Sequence, residues 1–343
     1  MTEEGGGSHA PVQRSALPPR RPQGVPRLTG SAPLSREDFT FMTDLVFRPL
    51  AAGESHLFNS LVPEDDGLVG RSLMGHTYAM TDEGGEYRPD WTWVALRDGT
   101  VVARAAWWAA PTDDKPIALD WFDFTDADAA VRLLRTAPLK AEYELLLPPG
   151  WRDRREVREA AQTRIDAAIV SGMELVVERY RYTWTPECGL PERTGRLEYR
   201  PEPDDAVVLD VLGRIGVGSL DAHTRRMVRL HGPDAAAREE LEFLNWLQSP
   251  REWWRLAYTP EGELAGIHVP GRNPGGFCVG FIGVLPGQRG HGYAYDLLVE
   301  CTHDLVGHGA EKIAAATDQT NAPMAAHFAK AGYPVSQERV NLV

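Results

Sequence analysis

The chain has 343 residues and a formal net charge of −13 at pH 7, with 43% hydrophobic and 25% charged residues. This length can build two hydrophobic cores, and the composition is that of an ordinary globular protein. The negative charge argues against a nucleic-acid partner and would attract a cationic amine, although an acidic surface that confers solubility explains it more simply. No apolar run reaches the ~18 residues of a membrane span, so no membrane partner is predicted.

The three cysteines of the chain have neither paired nor metal-ligand spacing. This pattern predicts free thiols in a reducing, cytoplasmic compartment. The ten histidines include no His-Glu-x-x-His pattern, and no metal site is predicted.

Two Pro- and Gly-rich stretches divide the chain. Residues 1–41 lack hydrophobic periodicity and are predicted to be a disordered tail. A second break at 185–203 is predicted to hold a linker and the first strand region of the block that follows. The expected domains are therefore 42–184 and 196–343.

The two blocks share local patterns that indicate an internal duplication. Phe47–Pro49 opens the first block, and the similar Tyr199–Pro201 opens the second. Leu147–Arg152 lies 137 positions before Val284–Arg289, and the same offset aligns the strand–turn–helix units around them. Chance similarity between two such units is the alternative.

The clearest motif begins with the buried strand expected at 277–285. Pro286–Gly292 reads as a tight turn, and apolar residues then recur at helical spacing from Ala294 to Leu305. Glycines let a backbone approach a ligand closely, and the free N–H groups of a first helical turn attract anions. The segment therefore predicts a site for a pyrophosphate.

Two segments resemble motifs of the GNAT superfamily of acyltransferases. Arg289–Ala294 satisfies motif A, Arg/Gln-x-x-Gly-x-Gly/Ala, and Val284–Pro286 supplies the preceding Val-x-Pro. Downstream, Asn321–Met324, Phe328 and Gly332–Tyr333 resemble motif B, an Asn-opened helix that ends in Gly plus an aromatic residue. The resemblance covers the second block.

The resemblance implies an α/β (α+β) fold of two GNAT-like domains, each a mixed, splayed sheet flanked by helices. Acetyl-CoA, as co-substrate, would lie between the fourth and fifth strands of the second block. The implied partner is a small-molecule amine, bound by a monomer or homodimer. The positions implied to bind acetyl-CoA are Ile282, Gly283, Val284, Arg289, Gly290, His291, Gly292, Tyr293, Ala294, Asn321 and Phe328.

Catalytic groups are harder to assign. Many relatives have a tyrosine in motif B that protonates the leaving thiolate, and Phe328 at that position cannot donate a proton. The remaining candidates are Asp318 at the end of the fifth strand, His223 and Asp221 in the loop region after the first helix of the block, and His268 on the third strand. A structural role is the plainer interpretation of each.

The first block departs further from the motifs. At the offset of 137, Asp153 and Arg155 replace the glycines at 290 and 292, and no counterpart of the motif B helix is expected before the linker. This block is predicted to be a degenerate copy that binds no CoA.

The resemblance thus implies an N-acetyltransferase that moves an acetyl group from acetyl-CoA to an amine on a small molecule. Two alternatives stay open. One is a non-catalytic acyl-CoA-binding or regulatory protein, and the other is an acetyltransferase that acts on protein amines.

Overall fold

The strands of the computed structural model pair into one twelve-stranded mixed sheet. The structure describes residues 45–65, 67–70, 77–109 and 113–343, so the predicted tail, 1–41, lies outside the described residues. Among these described residues, every helix is too short or too polar to cross a membrane.

The first block of the chain contributes six strands and three helices to the described residues. These are β1 (Leu45–Pro49), α1 (Ser55–Asn59), β2 (Thr92–Arg97), β3 (Thr100–Trp108), β4 (Ala118–Phe124), α2 (Ala127–Thr136), β5 (Glu142–Leu147), α3 (Arg155–Ser171) and β6 (Leu175–Trp184).

The second block contributes six strands and five helices. These are β7 (Glu198–Pro201), α4 (Asp205–Gly216), α5 (Ala222–His231), α6 (Pro233–Trp246), β8 (Arg255–Tyr258), β9 (Leu264–Asn273), β10 (Gly276–Val284), α7 (Tyr293–Gly307), β11 (Ile313–Asp318), α8 (Ala322–Lys330) and β12 (Val335–Leu342).

The pattern of parallel and antiparallel strand pairs is the same when it is counted from either edge of the sheet. Its order is β1-β2-β3-β4-β5-β12-β6-β11-β10-β9-β8-β7. From each edge come three antiparallel pairs, one parallel pair and then an antiparallel pair. The expected mixed α/β fold with two related halves is confirmed by this topology.

The last strand of each block lies next to the strands of the other block. β12 sits between β5 and β6, and its Val340 and Leu342 pack in the core of the first block. β6 sits between β12 and β11, and its Tyr182 and Trp184 pack in a core with α7 and α8. Each half is therefore completed by a strand of the other, and a chain boundary after Trp184 divides the sequence without dividing the sheet.

The sheet order corrects the alignment of the two copies. β4 and β10 occupy equivalent places, since each is antiparallel to the strand before it and parallel to the strand after it. Helix α2 therefore corresponds to α7, and α3 to α8. The offset of 137 instead aligned β5 and α3 with β10 and α7, because both units are a buried strand, a Pro-Gly turn and a helix.

Two expectations about the first block change with this alignment. The expectation that it lacks a counterpart of the motif B helix is wrong, because α3 holds that place between β5 and β6. Asp153 and Arg155 are also not the structural counterparts of Gly290 and Gly292, since the turn equivalent to motif A joins β4 to α2.

Each half of the sheet opens where its parallel strands part. The fully described strands β10 and β11 share a single register pair, Cys278 with Ala314, and then diverge. β10 also carries a register shift against β9 between Val279 and Phe281, which bends a strand. The expected splay between the fourth and fifth strands of the second block is present.

The exchange of β6 and β12 predicts that the halves stay together after the chain is cut. Glu192 is an exposed residue of the segment between β6 and β7, so a protease site engineered there should be cleavable. Both fragments should co-elute in gel filtration under native conditions, because separation would strip an interior strand from each sheet.

Denaturant should separate the same nicked fragments, which shows that cleavage was complete. Fragments that part in native buffer would contradict the strand exchange.

Candidate active site

The turn between β10 and α7 is built on two glycines in the left-handed region. Gly290 has φ 86° and Gly292 has φ 79°, values that other residues rarely adopt. Gly292 is the N-cap of α7, and no side chain caps this end of the helix. A Cβ at Gly290 would meet nothing within 4 Å, so the turn faces open space. The N–H groups of the first turn of α7 can therefore bind an anion, as predicted for a pyrophosphate.

Arg289 holds this turn against α4. Its guanidinium donates to the carbonyl oxygens of Ile215 at 2.9 Å and Gly218 at 3.0 Å, at the end of α4. The last carbonyls of a helix have no partner within the helix, and a cation is favoured there. Arg289 thus positions the glycines of the turn through its side chain.

A second arginine secures the other side of the turn. Arg196 donates to the carbonyl oxygen of His291 at 2.9 Å and forms an ion pair with buried Asp296 in the first turn of α7. Thr194 also donates to Asp296, at 2.6 Å. The segment between β6 and β7 therefore fixes the start of α7, a role that the sequence motifs did not reveal.

One cleft of about 1080 Å³ runs from this turn through the splay between β10 and β11 to α5 and α6. Its far wall includes Glu142, Arg179 and Arg181 from strands β5 and β6 of the first block. His291 is exposed and lies outside the lining. The predicted acetyl-CoA positions that line the cleft are Ile282, Gly283, Val284, Arg289, Gly290, Gly292, Tyr293, Ala294, Asn321 and Phe328.

Phe328 is part of an aromatic stack. Its ring lies 4.3 Å from that of Tyr182 at an interplanar angle of 17°, and Tyr333 packs edge-on at 5.4 Å. Phe328 is 1% exposed and thus serves chiefly to join α8 to β6. Asn321 has a similarly local role, because its side chain caps α8 by accepting from the Met324 N–H.

Asp318 is held by two partners. Its carboxylate accepts from Arg179 Nε at 2.9 Å and from the Ala222 N–H at 2.6 Å, so it ties β11 to the start of α5. Burial, together with the nearby Asp221 carboxylate, raises the pKa of Asp318. Asp318 lies behind the cleft wall and not in its lining.

The two histidine candidates lie in different places. His223 lines the cleft, and the Glu142 carboxylate 3.3 Å from its Nε2 raises the pKa of His223. His268 is fully buried outside the cleft lining, with its Nε2 3.7 Å from Asp304. Burial and then Arg255 lower the pKa of His268 to about 3, so its imidazole is neutral. The structure therefore does not bring Asp318, His223 and His268 together at one point.

Glu240 on α6 is a group that the sequence motifs did not identify. It lines the cleft, and burial raises its pKa to about 7, with contributions from Asp221 and Glu239. A carboxyl with such a pKa can take up a proton at neutral pH. Only the helical spacing indicates that Glu240 faces inward, because buried Ala236 and Leu244 lie four residues to either side of it on the same face of α6.

The equivalent splay of the first half is filled by charged side chains. β4 and β5 share two register pairs at 118–119 and then diverge, and buried Asp123 lies beyond them on β4. Asp123 pairs with Arg104 at 2.9 Å and with Arg164 of α3 at 3.0 Å. Arg164 also pairs with Asp65. This network gives a physical reason for the prediction that the first block binds no CoA.

Residues 223–333 match the family model described as the Acetyltransferase (GNAT) family. The resemblance of the second block to the GNAT superfamily is thereby confirmed over these residues. This match supports acyl transfer as the general class of reaction. The search of curated proteins finds no match.

Several solved structures are similar to the chain over most of its length. A GCN5-related N-acetyltransferase from Sphaerobacter thermophilus is 14% identical with a TM-score of 0.48, over 87% of this chain and 94% of that one. A tandem GNAT protein from the clavulanic acid biosynthesis pathway is 16% identical with a TM-score of 0.44, over 87% and 98%. A GNAT-family acetyltransferase from Colwellia psychrerythraea is 12% identical with a TM-score of 0.42, over 87% and 98%.

Gly292→Glu should abolish CoA binding. The added carboxylate would stand at the anion-binding turn, where like charges cost several kcal/mol, so CoA affinity should fall by more than about 100-fold. Isothermal calorimetry with CoA measures this loss.

Gly309→Glu is the matched control, because Gly309 also has a positive φ, 91°, and follows the other end of α7, where an added Cβ would meet nothing within 4 Å. Both variants should lose similar stability, since each strains its backbone by about 1–2 kcal/mol. Equal CoA affinity in the two variants would contradict the assignment of the turn.

Proposed function

We propose that the protein transfers an acetyl group from acetyl-CoA to an amine on a small molecule. The observation that carries this proposal is one continuous cleft, which joins an anion-binding helix terminus to a carboxyl group with a pKa of about 7. The turn Arg289–Ala294 would hold the pyrophosphate of acetyl-CoA. The edge of β10 near Ile282–Val284, which has parted from β11, would pair with the extended pantetheine arm.

Glu240 is the proposed base. The acceptor ammonium group gives a proton to the Glu240 carboxylate, and the neutral nitrogen then attacks the thioester carbonyl carbon. The new C–N bond forms, the C–S bond breaks, and the sulfur leaves with the electron pair of that bond. The nitrogen releases its second proton to solvent as the amide forms. A CoA thiol titrates near pH 8.5, like a free cysteine, so its thiolate can leave without an acid and take a proton from solvent. This route requires no hydroxyl at Phe328.

The cleft wall favours a small acceptor over a protein. The far end of the cleft is bounded by α5 and α6 on one side and by β5 and β6 of the first block on the other. An acceptor there lies between the two halves of the molecule.

The alternative of a non-catalytic acyl-CoA-binding protein is supported by Phe328, which has no hydroxyl to protonate a leaving thiolate.

Release of free thiol from acetyl-CoA in the presence of an amine panel tests the proposal. Small amines should give steady release and a product heavier by one acetyl group, as measured by mass spectrometry. Acetylation of peptides but not of small amines would favour the protein acetyltransferase. Tight CoA binding without release for any amine would favour the non-catalytic alternative.

Glu240→Gln should remove the ionisation of Glu240 from the pH dependence of kcat/KM. A base with a pKa of about 7 is active when deprotonated, so kcat/KM of the native enzyme should rise with pH and bend near pH 7. The variant should lack this inflection and lose roughly 10²–10⁴-fold in turnover. A pH–rate series on both proteins with one amine measures the effect.

Glu239→Gln is the matched control, because Glu239 is an exposed neighbour on α6. It should keep the inflection, shifted slightly to lower pH, since the Glu239 charge helps to raise the pKa of Glu240.

The Glu240→Gln protein should also be more stable than the native protein above pH 7 and equally stable below the ordinary pKa of 4.5, because the fold favours the neutral carboxyl. A Glu240→Gln protein with full activity and an unchanged pH profile would remove Glu240 from the mechanism.

A further inference from the structure

Arg181 is a cation in the cleft that has no partner among the described residues. It lies on β6 in register with Ala316 of β11, and its side chain lines the cleft. Within the described residues, its guanidinium has no hydrogen bond or ion pair. This distinguishes it from Arg179, two residues earlier, which pairs with Asp221 at 3.1 Å and Asp318 at 2.9 Å.

The nearest candidate counterion is already engaged. Glu144 on β5 accepts from Arg339 Nη1 at 2.5 Å and from Asn341 Nδ2 at 2.8 Å. Burial and the positive charge of Arg339 lower the pKa of Arg181. Taking a cation out of water without a partner is costly, and an anionic ligand at this position would offset the cost.

The surroundings of Arg181 leave room for such a ligand. Ala314 and Ala316 of β11 line the same part of the cleft with small side chains. The proposed function assigns the phosphates of acetyl-CoA to the N-terminus of α7, at the other end of the cleft. The anion that Arg181 meets would therefore belong to the acceptor.

The proposed base lines the same cleft as Arg181. Arg181 and Arg179 project from one face of β6, so they are about 7 Å apart along the strand. The charge of Arg179 in turn acts on Glu240. An amine at Glu240 and an anion at Arg181 can thus belong to one small molecule. A planar guanidinium matches a carboxylate with two parallel hydrogen bonds.

We propose that Arg181 binds the carboxylate of the acceptor, and that the acceptors are small amino-carboxylates, of the amino-acid class. This inference rests on the proposed acetyl transfer to an amine and specifies its substrate. It also gives β6 of the first block a direct part in substrate selection.

The test compares amino acids with their carboxamides, at matched concentrations of free amine. For the best acceptor in a panel of the common amino acids, native kcat/KM should favour the acid by roughly 10- to 100-fold, the range of a hydrogen bond to a charged group. Arg181→Leu should remove this preference by raising KM for the acid, and Arg181→Lys should keep part of it. CoA affinity should stay unchanged in both variants, which shows that the cleft is folded.

Arg225→Leu serves as the control, because Arg225 is an exposed arginine on α5 outside the cleft lining and its variant should keep the preference. Equal native kcat/KM for acids and amides would overturn the inference and leave the proposed function standing. An Arg181→Leu protein that loses turnover equally for both acceptors would also overturn it, since Arg181 would then act on the thioester. Failure to acetylate any amine would overturn the proposed function and this inference with it.

Discussion

The pairing of β12 with β5 and of β6 with β11 is the constraint on which the rest of the molecule depends. Each strand lies in the interior of the sheet and makes backbone hydrogen bonds on both edges. Its side chains join the core of the other block, as Val340 and Tyr182 do. The two copies are thus fixed to each other by their own secondary structure. The first block in this way supplies Glu142, Arg179 and Arg181 to the cleft of the second.

The two halves share one arrangement of strands, but the splay between their parallel strands differs in what surrounds it. In the second half, glycines with positive φ and an uncapped helix leave the opening accessible to an anion. In the first half, Arg104, Asp123 and Arg164 fill the corresponding region with buried ion pairs. Removing one member of such a network leaves an uncompensated buried charge, which costs about 3–5 kcal/mol. The buried ion pairs of the first splay thus support the prediction that the first block binds no CoA.

The local parts of the site could be predicted from the sequence. The buried strand, the glycine turn and the amphipathic helix of 277–305 each have a signal within a few residues, and their order identified the superfamily. The duplication was also detectable, but its alignment was wrong because β5–α3 resembles β10–α7 locally. Only strand pairing shows that β4 and α2 are the true counterparts, and pairing depends on contacts between distant segments.

The chemistry at the far end of the cleft depends on contacts of the same distant kind. Asp318 has the residue type of a base, yet Arg179 and the start of α5 engage it. His268 is buried outside the cleft lining. The properties of Glu240 and Arg181 depend on residues from other elements. Asp221 helps to raise the pKa of Glu240, and Arg339 helps to lower the pKa of Arg181. A single sequence has no pattern that reveals which charges will meet.

The central claim is that the splay between β10 and β11 binds the co-substrate and that the first block forms the wall of the cleft at the acceptor end. A crystal structure of the chain with CoA and an amino-carboxylate would test this most directly. We expect one CoA, with its pyrophosphate at Gly290–Gly292 and its sulfur between β10 and β11, and an acceptor in contact with β6. A CoA between β4 and β5, or an acceptor that touches no residue of the first block, would contradict the account.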